Sequence, residues 1–219
     1  AFALAVHEGV LYAGTCEPGE DESGRVYRYG PGGDQWHDCG APDNSNSVTA
    51  LAVYQGQLYA GTGKYRLAGS ALPESENPAL GGRVFRYEGD TRWTDCGQLP
   101  ETEAVGGLVV YRGQLYASSL YRPAGFFRYE GQSNWSSLPV PQRIDPASSA
   151  SGPQRVESLM VHKGFLYASS YDGGHVYRFD GRSWTDCGQL GDNTQTYSFA
   201  QYEGRLFTGT WPSGRVYRW

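Results

Sequence analysis

The chain has 219 residues, with 31 Gly, 17 Tyr and 6 Trp against a single Met, and a formal net charge of −5. That charge, with no basic run, excludes a general nucleic-acid surface, and no stretch approaches the ~18 continuous apolar residues of a membrane-spanning helix, so neither partner is expected. Abundant glycine and aromatic residues favour short strands joined by tight turns over a helical bundle.

The chain opens on Ala1 with no charged segment leading into an apolar one, so no secretion signal is read there. The missing initiator Met reads as a processed or excised piece, and the sequence names no compartment. All basic residues except Lys64 and Lys163 are Arg, read first as coding bias.

Taken in order, the chain shows one pattern five times. The first unit is LAVHEGVLYAGT from Leu4, then GRVYRY from Gly24 and WHDCG from Trp36. The second is LAVYQGQLYAGT from Leu51, GRVFRY from Gly82 and WTDCG from Trp93. The third is LVVYRGQLYASS from Leu108, GFFRY from Gly125 and WSSLP from Trp135. The fourth is LMVHKGFLYASS from Leu159, GHVYRF from Gly174 and WTDCG from Trp184. The fifth has FAQYEGRLFTGT from Phe199 and GRVYRW from Gly214, without a Trp-led run. In each unit an x-Gly pair between two apolar runs marks a two-residue hairpin turn.

The turn glycines Gly9, Gly56, Gly113, Gly164 and Gly204 are 47, 57, 51 and 40 residues apart, in the range of propeller repeats. Each unit reads as an antiparallel meander of strands A to D. The expectation is an all-β, five-bladed β-propeller forming one domain over 1–219, with blades near 1–46, 47–104, 105–156, 157–196 and 197–219. Strand A, apolar on both faces, belongs nearest the axis. The last blade has three strands; its packing against blade 1 is expected to close the ring. Its edge is expected to be covered by further chain past Trp219 or by a second molecule.

A glycine-containing strand B, a Tyr in strand C and a Trp opening strand D resemble the kelch repeat across essentially the whole chain. The departure is at the double glycine of that family, here Gly14-Thr15, Gly61-Thr62, Ser118-Ser119, Ser169-Ser170 and Gly209-Thr210.

Cys39, Cys96 and Cys187 occupy one repeat slot, where blade 3 has Leu138. Slots on different blades lie far apart around a ring, so these are expected to be unpaired, buried small hydrophobes. Cys16 falls outside the slot, as a free thiol near a loop. His7, His37, His162 and His175 also sit in repeat slots that do not converge, so no metal or cofactor is expected. Arg28, Arg86, Arg128, Arg178 and Arg218 recur in strand C, and pairing with Asp38, Asp95 and Asp186 of strand D is expected where these are present. Each strand-D Trp is expected to cover the outer part of its own sheet.

The B–C and D–A connections are long and unequal, which places ligand binding on that face. The candidate ligand-binding residues are Tyr65, Arg66, Tyr121, Arg122, Tyr171 and Trp211, for a protein or carbohydrate ligand. The same face carries Glu17, Glu20, Asp21, Glu22, Glu74, Glu76, Glu101, Glu103, Asp145, Glu157, Asp172 and Asp192. With no catalytic constellation legible in the motifs, the leading expectation is a non-catalytic binding module. The alternatives are a propeller enzyme, such as a glycosidase or lyase using carboxylates on that face, and a structural domain of a larger protein.

Overall fold

The computed structural model describes residues 1–30, 32, 35–67, 74–143 and 151–219. Parts of the two longest connections, with Asp145, lie outside the described residues. The fold is a five-bladed β-propeller of small antiparallel sheets. Blade 1 is β1 (Ala3–His7), β2 (Val10–Gly14), β3 (Val26–Tyr29) and β4 (His37–Asp38), paired in that order. Blade 2 is β5 (Ser47–Tyr54), β6 (Gln57–Gly63), β7 (Arg83–Tyr87) and β8 (Trp93–Gln98). Blade 3 is β9 (Val105–Tyr111), β10 (Gln114–Ser119), β11 (Phe126–Gly131) and β12 (Asn134–Leu138). A two-stranded hairpin not foreseen from sequence, β13 (Gln142–Arg143) with β14 (Gly152–Pro153), precedes blade 4. Blade 4 is β15 (Val156–His162), β16 (Phe165–Ser170), β17 (His175–Phe179) and β18 (Trp184–Gln189). Blade 5 has three strands, β19 (Gln195–Tyr202), β20 (Arg205–Trp211) and β21 (Val216–Arg218).

The A–B turns have positive φ at both central residues, as at Glu8 (51°) and Gly9 (75°). That is the primed turn whose twist matches the flanking strands, and it explains the recurrent x-Gly.

The core lies between blades. Tyr12, Val26 and Cys39 of blade 1 pack on Val48, Leu51, Leu58 and Ala60 of blade 2. Tyr59, Val84 and Cys96 meet Val105, Leu108 and Leu115 at the next seam, and Tyr116 and Phe126 meet Leu159 and Leu166 at the one after. Neighbouring A strands stand side by side, β1 on β5, β5 on β9, β9 on β15 and β15 on β19.

One expectation is extended and two are corrected. First, each of Trp93, Trp135 and Trp184 packs on the strand-C aromatic of its own sheet, with ring centroids 4.9 Å from those of Tyr87, Tyr129 and Phe179, and also seals the seam to the preceding blade. Trp93 Nε1 donates to Cys39 O (2.8 Å), Trp135 Nε1 to Cys96 O (2.9 Å) and Trp184 Nε1 to Pro139 O (2.8 Å).

Second, the strand-D aspartates pair one turn of the pleat away from the expected arginines. Tyr27 opposes Asp38 and Arg28 opposes His37, so alternation places Asp38 on the face of Arg25. Arg25 bonds Asp38 (2.6 Å), Arg83 bonds Asp95, and His175, in the same slot, bonds Asp186 (2.9 Å). Arg86 and Arg128 turn to Glu88 and Glu130.

Third, among the described residues the faces by which blade 5 and blade 1 would meet lie open. The strand-C slot filled by Val26, Val84, Phe126 and Val176 is fully covered, but Val216 is 70 % exposed. Leu51, Leu108 and Leu159 are buried, whereas Leu4 in their slot is 62 % exposed. All four cysteines are free; Cys39 and Cys96 are buried, while Cys187 is half-buried because no Trp from a following blade covers it.

Candidate functional site

One extra residue is inserted in strand A of each of blades 2 to 5. The pairing of β5 with β6 slips at Thr49, of β9 with β10 at Gly106 and Gly107, of β15 with β16 at Glu157 and Ser158, and of β19 with β20 at Tyr197 and Ser198. A bulge re-aims side chains, and here it turns this position of each inner strand toward the axis. In blades 3 and 4 serines stand in the slot held by Gly14, Gly61 and Gly209 in the other blades, and the bulge explains them: Ser118 Oγ accepts from Gly107 N (2.9 Å) and Ser169 Oγ from Ser158 N (2.8 Å), each satisfying a bulged amide.

Most of these bulged residues line an axial cavity of about 380 Å³, open to one side, whose wall is made by Ala1, Phe2, Thr49, Tyr65, Gly106, Leu120, Glu157, Ser158, Tyr197 and Ser198. Glu157 is its carboxyl group. Its Oε2 is buried and has no hydrogen-bond partner among the described residues. Burial pushes this carboxyl up to about 8, and the nearby Arg155 charge offsets only part of that. Burial and the Glu157 charge raise the Tyr65 and Tyr197 hydroxyls above the ordinary tyrosine range.

The rim is fixed by polar contacts. Asn46 clamps the Tyr65 backbone, its Oδ1 accepting from Tyr65 N (2.7 Å) and its Nδ2 donating to Tyr65 O (3.0 Å); the Tyr65 ring meets Phe2 edge-on at 4.3 Å. Tyr121 OH accepts from Arg66 N (2.9 Å), and the Arg66 guanidinium lies over the Tyr121 ring while pairing with Glu103. Burial pushes Tyr121 up to about 12. On the adjoining blade Arg155 stacks on Tyr171 at 4.3 Å and grips Asp172, with Nη2 to Oδ1 at 2.7 Å and Nε to Oδ2 at 3.0 Å. Arg122 approaches the same carboxylate at 3.4 Å. Burial alone would raise Asp172, but the Arg155 side-chain and backbone hydrogen bonds outweigh it and hold the group below the usual range.

Of the sequence candidates, Tyr65, Arg66, Tyr121, Arg122 and Tyr171 thus belong to two contact groups, one of which reaches the cavity wall through Tyr65. Trp211, at the end of β20 opposite Gln195, is half-exposed and joins neither group among the described residues. Tyr197, Arg155 and Phe2 were missed, and Glu157 was only one of twelve carboxylates. The signal that would have found three of them is the slot two residues before the strand-A Leu or Phe, which reads Phe2, Thr49, Gly106, Glu157 and Tyr197. A repeat slot that changes chemistry in every copy is not serving the scaffold. Among the described residues no group of three His, Cys, Asp or Glu is placed to hold a metal ion.

The chain matches no protein-family model and no curated protein sequence, so the kelch resemblance rests on the repeat pattern, while the propeller is shown by the structure. Among solved structures it is similar to virginiamycin B lyase from Staphylococcus aureus (10 % identity, TM-score 0.66), covering 100 % of this chain and 69 % of the lyase. A catalytically inactive form of that lyase with quinupristin superposes at TM-score 0.67. A gluconolactonase-like protein matches with 19 % identity and TM-score 0.65 over 98 % of this chain and 72 % of its own. These likenesses establish the fold. They also correct the expectation of a non-catalytic chain, since the structures sharing this architecture include enzymes.

Proposed function

We propose that the chain is a propeller enzyme acting by proton transfer in the axial cavity, with Glu157 as the exchanging group and a lyase as the reaction class. The observation that carries this reading is the Glu157 carboxyl, buried in the cavity wall with one oxygen unpartnered. With its affinity for protons raised to about 8, it is populated in both forms near neutral pH, the condition for general acid–base work.

In an elimination, the ionised Glu157 takes a proton from a carbon beside a carbonyl. The C–H pair becomes the new double bond, and the departing oxygen leaves with a proton from the Tyr197 or Tyr65 hydroxyl. Glu157 then returns its proton to that tyrosine through water, restoring the site. A glycosidase fits less well: it needs two carboxyl groups flanking one bond, and Asp172, held by Arg155, is not in the cavity wall. Tyr65, Arg66, Tyr121, Arg122 and Tyr171 form the substrate-binding rim in this proposal.

The test is a panel of cyclic esters, lactones and uronates, including quinupristin and glucono-δ-lactone, followed by liquid chromatography and mass spectrometry. The expected result is elimination without uptake of water, with a pH profile inflecting near 8 and a loss of roughly 100-fold or more in Glu157→Gln. Turnover unchanged in Glu157→Gln, or no turnover of any member, overturns the reading.

A further inference from the structure

The molecule makes one kind of seam three times in full and leaves both halves of another uncovered. In each complete seam, a strand-C residue and a strand-D Cys or Leu of one blade receive the strand-A Leu and strand-D Trp of the next. At blade 5 the receiving half lies open, with Val216 exposed. At blade 1 the donating half lies open, with Leu4, Val6 and Trp36 exposed. Glycines report the same asymmetry. A Cβ at Gly14 would strike Val48 O at 2.6 Å and one at Gly61 would strike Val105 at 2.6 Å, but at Gly209, in the same slot, only Ser198 Oγ comes near, at 3.9 Å.

We propose that this open face is a docking surface for two further blades of this same repeat. The chemistry of the occupant follows from the covered seams. It must lay a fourth strand beside β21, present a Leu-x-Val strand to Val216, and offer a carbonyl to the Trp36 indole as Cys39 does to Trp93. Two blades is the number that the lyase and the gluconolactonase-like neighbour accommodate: five blades here span 69 % and 72 % of those two chains, leaving the length of about two more. A second copy would bring five blades to a gap of that size. The added blades would stand between Ser198 and Phe2, both in the cavity wall, and so complete that wall. The inference is independent of the catalytic reading.

The test fuses a second copy of residues 88–189 directly after Trp219. Trp219 occupies the slot of Tyr87, so the added segment continues in register with a strand D for blade 5 and two whole blades. The expected result is a monomer by sedimentation, melting at least 10 °C above the unfused chain, with Cys187 labelled by a thiol reagent at least tenfold more slowly. Leu4→Asp is expected to lower the melting temperature of the fusion and leave that of the unfused chain within 1 °C. If the fusion fails to fold, the unfused pair of Leu4→Asp and wild type still decides. Overturning results are a destabilised unfused Leu4→Asp, a dimeric unfused chain with Cys187 protected, or a folded fusion with Cys187 unprotected.

Discussion

The indole nitrogen of Trp93 donates to the carbonyl oxygen of Cys39 across the seam between blades 1 and 2, at 2.8 Å. The pair joins two slots read from sequence as separate features. Replacing Trp93 or Trp135 by Ala removes both the bond and the ring from a seam, and each is expected to cost about 2–4 kcal/mol. Trp36→Ala, half-exposed with no blade behind it, is expected to cost under about 1 kcal/mol. Denaturant unfolding of the three variants gives the comparison, and equal losses would contradict the assignment of these residues to seams.

The glycines of the strand-B slot give a second contrast. Gly61→Ala drives a methyl group into Val105 and is expected to destabilise by about 1–3 kcal/mol, whereas Gly209→Ala meets open space and is expected to be neutral or slightly stabilising. Thermal melts of the two variants check this directly.

Glu157 sets a pH dependence of unusual sign for a carboxylate. Its proton is held up to about pH 8 in the folded chain but released near 4.5 in the unfolded one. Between those values the folded state binds more protons, so stability falls as pH rises, by up to about 5 kcal/mol, and levels off above 8. Glu157→Gln lacks that loss, so its stability relative to wild type is expected to grow from pH 5 to 8.5. Parallel curves for the two proteins would show that the carboxyl is not held protonated.

Asp172 behaves in the opposite way. Its lowered affinity for protons means that the Arg155 contacts contribute stability above the ordinary aspartate range, near 3.8, and lose it as pH falls through the still lower folded value. Asp172→Asn leaves the Arg155 guanidinium without its bidentate partner beneath Tyr171, with an expected cost of about 2–4 kcal/mol at pH 7. The difference from wild type is expected to shrink at pH 3, measured by melts at both pH values.

The blades were legible because turn glycines and strand alternation are local signals: Gly56 forms its turn whatever lies across the ring. The strand-D partners were not, because the face of Asp38 depends on a register that sequence does not print, and a shift of one residue exchanged Arg28 for Arg25. The site was half legible. Tyr65, Tyr121 and Tyr171 follow strand B in a recognisable slot, but Glu157 reaches the axis through a bulge, an insertion of one residue seen only when both strands of the pair are in view.

Because burial is concentrated where one blade meets the next, stability here is a sum over neighbouring links, as in a row of dominoes. Blades 2, 3 and 4 are each held from two sides, while blades 1 and 5 are held from one. Opening should therefore start at the two outer blades and travel inward, so amide exchange should be fastest in β1 and β21 and slowest in β9 and β10, a gradient that follows position in the row and not hydrogen-bond count.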